Sequence, residues 1–209
     1  FHAVDVGLVA TGGDQYTAEA WVRLDPEMLT REVGSIIGQH ASYVDCKGTV
    51  DLLWGHLRLS ITTVTGFHEV RAPEPLPTDR WVHVAGTYDG QYARLYQNAR
   101  LVAALPMGGA MTTYNQRRST RIGGYAGTSA GEYWFSGVID EVRVWSVVRS
   151  PDQLRAAMLH PINPEAGLAG YWRFDEGMGA TTADLSQYGH HGVLTSYSGA
   201  GLPQWVPGV

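Results

Sequence analysis

The chain has 209 residues and a formal net charge of −5, and its 44% of hydrophobic residues is typical of a globular protein with a sizeable core. The acidic balance and the presence of a single lysine, Lys47, argue against nucleic-acid binding, which requires a basic surface. The single cysteine, Cys46, excludes an internal disulfide and a cysteine-based zinc site, and no apolar stretch approaches the length of a membrane span.

The chain opens with FHAVDVGLVATGG, which lacks an initiating methionine and alternates like a strand. We interpret the chain as a piece of a longer protein, so we expect other domains of the same polypeptide as partners. On this interpretation, the lack of a visible signal peptide says nothing about location.

Alternating apolar residues predict strands along most of the chain. In YTAEAWVRL, small and aliphatic residues share one face, and YARLYQNARLVAAL predicts a hairpin that turns at Asn98 and Ala99. Further strands are predicted in VGSIIGQ, DLLWGHLRLSITT, RWVHVAGTYD, RSTRIGGY, YWFSGVIDEVRVW, GLAGYWRFDEG and HGVLTS.

One helix is predicted, in SPDQLRAAML. Ser150 is suited to the N-cap and Pro151 to the first helical position, while Leu154, Ala157 and Met158 fall on one face. About a dozen strands with one short surface helix predict an all-β fold, a sandwich of two antiparallel sheets around a shared core. We therefore treat residues 1–209 as one domain. Residues 160–167, HPINPEAG, form a connector, after which the strands either close this sandwich or open a following repeat.

Three segments in this order resemble a known family: YTAEAWVRLD, RWVHVAGTYDGQYARLYQNARLV and RIGGY…FSGVIDEVRVWSVVRSPDQL. They are similar to the laminin-G-like, concanavalin-A-like jelly roll, above all to its bacterial laminin-G branch, which is related to pentraxins. GLAGYWRFDEGMGATTADLSQYGHHGVL resembles the segment that normally opens a unit of that family. The resemblance implies a jelly-roll sandwich that binds carbohydrate, glycosylated protein or cell-surface ligands, often through calcium.

Two positions depart from the family pattern. The hairpin turn reads Asn98-Ala99 where the family has Asn-Gly, and the loop GYAGTSAGEYW has Glu132 as its single acid. A pentraxin-style pair of calcium ions needs several acidic and amide ligands in that loop, so this loop argues against such a pair.

Asp140 is the main candidate for a metal ligand. In GVIDEVRVW it shares the parity of Val138, Val142 and Val144, which predicts that its carboxylate points toward the buried side. A buried carboxylate must be paired, hydrogen-bonded or bound to a cation. In related jelly rolls the similar aspartate is a structural calcium ligand. Two partners for the Asp140 carboxylate remain equally open. One is a calcium ion (Ca²⁺), and the other is a hydrogen-bond donor, either a loop amide or an arginine such as Arg173.

Two further acids are weaker candidates for the same cation. Asp184 and Ser186 lie in the glycine-rich DLSQYGHHG, where an Asx-turn is favoured over a cation site. Asp175 or Glu176 in RFDEG would add a ligand if their strand neighbours the strand of Asp140.

Sugars are bound by aromatic faces and planar polar groups, so aromatic residues in expected loops are the candidate ligand-binding residues. These are Tyr43, Asp45, Tyr114, Asn115, Arg117, Tyr125 and Tyr133. Trp54 and His56 in WGHLRLS form a further possible platform.

No catalytic motif is present. The chain lacks the Glu-x-Asp-x-x-Glu string of sandwich glucanases, and the consecutive pairs Asp140-Glu141 and Asp175-Glu176 point to opposite faces of a strand. We therefore predict a noncatalytic module of an extracellular or cell-surface protein that binds a glycan or a glycoprotein. The alternatives are a structural or protein–protein spacer of an adhesin or toxin, and a divergent glycoside hydrolase.

Overall fold

The computed structural model of the protein describes residues 2–11, 13–42, 45–112, 119–124, 133–196 and 201–209, and for residues 40–42, 45 and 46 it describes the backbone. The described strands form two large antiparallel sheets and one small hairpin. The all-β sandwich with one short α-helix is therefore confirmed.

The larger sheet has eight strands. In spatial order they are β15 (Thr181–Thr182), β16 (Gly192–Ser196), β1 (His2–Asp5), β12 (Arg121–Ile122), β3 (Val33–Gly38), β6 (Thr49–Leu53), β7 (His56–Thr63) and β8 (Gly66–Pro75).

The second sheet has six strands. In spatial order they are β11 (Arg100–Pro106), β10 (Tyr92–Gln97), β9 (Val82–Tyr88), β2 (Tyr16–Leu24), β13 (Gly137–Trp145) and β14 (Leu168–Trp172). The hairpin of β4 (His40–Ser42) and β5 (Asp45–Cys46) lies between β3 and β6 in sequence, and a 3₁₀ turn covers Pro26–Leu29.

The strands after the 160–167 connector pair with strands from earlier in the chain. β14 pairs with β13 in the six-stranded sheet, and β16 pairs with β1 in the eight-stranded sheet, with Val4 opposite Leu194. Segments on both sides of the connector thus contribute to both sheets.

The main core lies between the two sheets. Alternate residues of each strand point into it, as the periodicity of the sequence predicts, and fully buried side chains include Val22, Val84, Leu52, Leu59 and Trp172. At about 25 cal/mol per Å² of buried apolar area, this interior is the main source of stability.

Helix α1 spans Pro151–Ala157 and covers the outer face of the six-stranded sheet. Ser150 and Gln153 form a capping box, with the Ser150 hydroxyl accepting from the amide of Gln153 at 3.2 Å. Leu154 packs into a small cluster with Ala99, so the predicted helix and its buried face are confirmed.

The turn of the β10–β11 hairpin explains one departure from the family pattern. Asn98 and Ala99 both have positive φ, as a type I′ turn requires, although alanine is a poor residue for that conformation. Ala99 is 1% exposed and packs against Leu154 of the helix. Its buried methyl group makes apolar contacts that a glycine would lack.

Candidate functional site

Strand β13 is interrupted by a β-bulge immediately after Asp140. Ile139 pairs with Val22 and Asp140 with Trp21, but the register shifts before Arg143 pairs with Glu19. The simple two-residue parity does not extend across a bulge. The predicted parity shared by Asp140, Val142 and Val144 is therefore wrong, although the predicted burial of Asp140 is correct, since the residue is 5% exposed.

The carboxylate of Asp140 is held by two backbone amides. Glu141 N donates to Oδ1 at 2.9 Å, and Val209 N donates to Oδ2 at 2.8 Å. Burial raises the pKa of Asp140, the two amides oppose that rise, and the charges of Glu141 and Asp175 reinforce it.

The acids nearest to Asp140 are engaged by arginines. Glu141 accepts from Arg143 Nη2 at 2.6 Å and from Arg173 Nε at 3.0 Å, and Arg173 also pairs with Asp175 at 2.6 Å. The hydroxyl of Tyr171 donates to Glu141 at 2.5 Å, and burial raises the pKa of Tyr171 to about 12. Arg173 thus pairs with Glu141 and Asp175 rather than with Asp140, and the two donors described at Asp140 are backbone amides.

Asp184 is the centre of a turn, as the Asx-turn interpretation predicts. Its Oδ1 accepts from the amides of Tyr171 (2.9 Å) and Ser186 (2.8 Å), and its Oδ2 accepts from the Ser186 hydroxyl (2.7 Å) and the His190 amide (2.8 Å). Four donors use the acceptor capacity of both oxygens. The buried carboxylate thus fastens β14 to the turn that precedes β16.

These contacts are a poor fit for calcium, which prefers several oxygen ligands around one ion. Asp184 faces four hydrogen-bond donors and Asp175 is paired with Arg173, so neither supplies a free oxygen to an ion at Asp140. Among the described residues, no group of three or more His, Cys, Asp or Glu side chains is arranged to hold a metal ion. Calcium binding at Asp140 stays a prediction without a complete ligand set in that part of the chain.

A cleft of about 360 Å³ opens beside Asp140, and we call it the inter-sheet cleft. One wall is formed by β1, β12 and β16 of the eight-stranded sheet, and the other by the start of β13. Residues 203–209, here called the C-terminal strap, run along its rim, with Trp205 packed against the core.

A second polar region lies on the outer face of the eight-stranded sheet, opposite Leu52 and Leu57 of the core. We call it the polar face; its residues are Ser35, Thr49, Asp51, Arg58, Ser60 and Glu69, which adjoin one another through ladder pairs.

Arg58 is the centre of the polar face. Its Nε and Nη2 donate to the two oxygens of Asp51, both at 2.8 Å, and Nη1 donates to Glu69 at 3.1 Å. Burial raises the pKa of Asp51, and the paired Arg58 opposes that rise. This pair was not predicted, although Asp51 and Arg58 are equally distant from the Trp54-Gly55 turn and therefore lie opposite each other in the hairpin.

Most predicted ligand-binding residues lie outside the described residues: Tyr43, Tyr114, Asn115, Arg117 and Tyr125. Asp45 begins β5, where only the backbone is described. Tyr133 is partly buried, and its carbonyl accepts from Ser35 N at 3.2 Å, so it lies next to the polar face. Trp54 is 49% exposed at the tip of the β6–β7 hairpin.

Comparison with known proteins identifies the family. Residues 2–155 match the laminin-G type of the family described as the concanavalin A-like lectin/glucanases superfamily. The chain belongs to this superfamily. The predicted laminin-G-like resemblance is thereby confirmed.

One relative of known sequence is similar to most of this concanavalin A-like chain. It is 33% identical over 182 residues to pappalysin-1 of Mus musculus, an alignment that covers 76% of the chain but 11% of that protein. The chain thus spans about a tenth of the length of that relative.

Among solved structures, a Bacteroides ovatus protein described as a candidate carbohydrate-binding protein superposes with a TM-score of 0.77 at 25% identity, covering 97% of this chain and 56% of that one. The heptameric pentraxin of Limulus polyphemus superposes with a TM-score of 0.55 at 15% identity over 74% of this chain and 73% of its own, a likeness of fold alone.

Proposed function

We propose that this chain is a noncatalytic carbohydrate-recognition module of a larger, secreted or cell-surface protein. The observation that carries the proposal is the similarity to the Bacteroides ovatus protein, which extends over 97% of the chain at 25% identity. That protein is described as a candidate carbohydrate binder, and the similarity includes both sheets rather than a local motif.

The polar face supports this function through its accessible member, Glu69, whose side chain is 38% exposed, since its other five residues are at most 3% exposed. Sugar hydroxyls both donate and accept hydrogen bonds, and fixed carboxylate and guanidinium groups suit them because their geometry is planar. Glu69 is partly exposed, and Arg58 fixes one of its oxygens at 3.1 Å.

The state of the acids near Asp140 supports a module without catalysis. A glycosidase uses one carboxylic acid and one carboxylate on the same bond of the substrate. Glu141 and Asp175, the described acids beside Asp140, are each paired with arginine. A divergent glycoside hydrolase would need a second free acid.

A spacer module that contacts other proteins is the second candidate. Strand β11 is an edge strand whose segment between Arg100 and Pro106 carries no charge, and Leu101 is 54% exposed there. Uncovered apolar edge strands pair readily with other strands. In the described part of the chain, no helix has the length and apolar character needed to cross a membrane.

A glycan array tests the proposal. The fluorescently labelled chain is applied with and without a calcium chelator, and Glu69→Gln and Arg155→Ala variants are run beside it. We expect saturable binding to a defined set of glycans, weakened by Glu69→Gln, whose side chain is 38% exposed, and unchanged by Arg155→Ala. Absence of saturable binding from the whole array would support the spacer instead.

A further inference from the structure

We propose that the inter-sheet cleft is a second ligand site, which binds a single neutral sugar residue. This inference rests on the proposed carbohydrate recognition and places a site between the sheets, away from the polar face. It differs from the predicted rim residues, because the cleft is formed by strand residues and by the C-terminal strap.

The cleft has the size of a ligand site. Its volume of about 360 Å³ lies within the range of about 300–1,000 Å³ that is usual for small-molecule pockets. Three glycines line it: Gly123, Gly137 and Gly208. A Cβ at Gly208 would lie 2.0 Å from Asp140 Oδ2, so a side chain there would fill the space in front of the carboxylate.

Asp140 supplies the polar end of the cleft. It is 5% exposed, and each of its oxygens accepts one described hydrogen bond. An ionised carboxylate has about four acceptor positions, so two remain for donors such as sugar hydroxyls. His2 also lines the cleft, and its Nε2 is buried without a hydrogen-bond partner among the described residues. A polyhydroxylated ligand would satisfy both groups, whereas an apolar ligand would leave both unsatisfied.

Aromatic rings supply the apolar part. Phe174 and Trp205 lie with their ring centroids 6.4 Å apart, inclined at 46°, and Phe135 is a third ring in the lining. The indole of Trp205 is fixed by its Nε1, which donates to the Gly179 carbonyl at 3.0 Å. Rings of this kind pack against the C–H faces of a pyranose while the hydroxyls face the polar groups.

Charge selects a neutral sugar over an acidic one. The carboxylate of Asp140 lies in the lining; burial raises its pKa, and the charges of Glu141 and Asp175 add to that rise. Arg173 offsets Glu141 and Asp175 but does not pair with Asp140 among the described contacts. A carboxylated sugar would place a like charge next to Asp140 in a site of reduced dielectric, which disfavours its binding.

The experiment is a titration of the full chain with methyl glycosides, monitored by saturation-transfer NMR. The glycosides are those of glucose, galactose, mannose, xylose, N-acetylglucosamine and sialic acid. The variants are Asp140→Asn, Trp205→Ala and, as an exposed aromatic outside the cleft, Tyr188→Ala. Thermal melting shows that each variant is folded. We expect one or more neutral glycosides to bind, and the sialic acid glycoside to fail.

Loss of a hydrogen bond to a charged group predicts that Asp140→Asn weakens binding by about tenfold or more, with Tyr188→Ala unchanged. If array glycans and methyl glycosides bind equally well to the Asp140→Asn and Trp205→Ala variants, the cleft proposal is wrong and the proposed function stands. Preferential binding of the sialic acid glycoside also overturns the cleft proposal. If the wild-type chain binds neither array glycans nor glycosides, both proposals fail.

Discussion

Asp140 and Val209 are 69 residues apart in sequence and are joined by a 2.8 Å hydrogen bond from the Val209 amide to Asp140 Oδ2. The bond fastens the C-terminal strap to the bulged strand β13 at the inter-sheet cleft. The position of the strap therefore depends on a carboxylate whose own burial is energetically unfavourable.

Gly208→Ala should release this strap. The added Cβ would lie 2.0 Å from Asp140 Oδ2, so either this carboxylate or the strap must move, and we expect the hydrogen bond from Val209 to be lost. We expect the amide proton of Val209 to lose its downfield shift in NMR spectra. Gly108→Ala is the matched control, since a Cβ there has no atom within 4 Å. An unchanged Val209 resonance in Gly208→Ala would contradict the role of the strap.

The pH dependence of Asp140 follows from its raised pKa. The folded protein binds this proton more tightly than the unfolded chain, whose pKa is near the ordinary value of 3.8. The free energy of unfolding therefore falls as the pH rises from about 3.8 through the pKa of Asp140 in the folded protein. Above that pKa, the stabilising contribution of the protonated Asp140 is fully lost.

Asp140→Asn does not titrate at this position. The free energy of unfolding of this variant, relative to wild type, should therefore increase across that pH window in urea titrations. The Val209 amide shift should also titrate with a midpoint above 3.8. A midpoint below this value would show that the two amides outweigh burial.

Asp184→Ala should be strongly destabilising. It removes the acceptor of four hydrogen bonds and leaves the buried amide of Tyr171 without its partner. We expect a loss of about 3 kcal/mol or more in urea unfolding. Asp152→Ala, at an exposed helical position, is the control and should stay within about 0.5 kcal/mol of wild type. Equal effects of the two substitutions would remove the structural role assigned to the Asp184 turn.

Arg58→Ala should destabilise the chain because it leaves the buried Asp51 without its cation. Breaking a buried pair from one side costs about 3–5 kcal/mol. The double variant Asp51→Ala/Arg58→Ala should lose less than the sum of the two single variants, since it leaves no unpaired charge. Additive losses in a double-mutant cycle would mean that the two side chains are not coupled.

The calcium prediction is tested by melting the protein with a chelator and with added calcium. A ligand that binds only the folded state must raise the melting temperature. From the amides on Asp140 and the arginines on Glu141 and Asp175, we expect no rise. A calcium-dependent rise that Asp140→Ala abolishes would establish the ion.

The architecture was predictable because alternation and turn chemistry are local signals. Ser150 and Gln153 mark the helix start, and the Asn98-Ala99 turn was found from its spacing even though alanine is an unusual residue there. The Asp184 turn was also predictable, since an Asx-turn is formed largely by neighbouring residues.

The candidate sites were less predictable because they depend on contacts between distant segments. The bulge after Asp140 changes the parity of β13 without any glycine or proline to mark it, and Glu141 adopts positive φ there. The contact between Asp140 and Val209 crosses 69 residues and has no local pattern. The Asp51–Arg58 pair, by contrast, was accessible from hairpin symmetry about Trp54 and Gly55.

The measurement that tests carbohydrate recognition most directly is calorimetric titration of the full chain with the glycan giving the strongest array signal. We expect a saturable heat of binding with a stoichiometry of one or two glycans per chain, and no such heat when the chain has first been saturated with the same glycan. Heats no larger than those of dilution, for this glycan and for the next strongest ones, would contradict it.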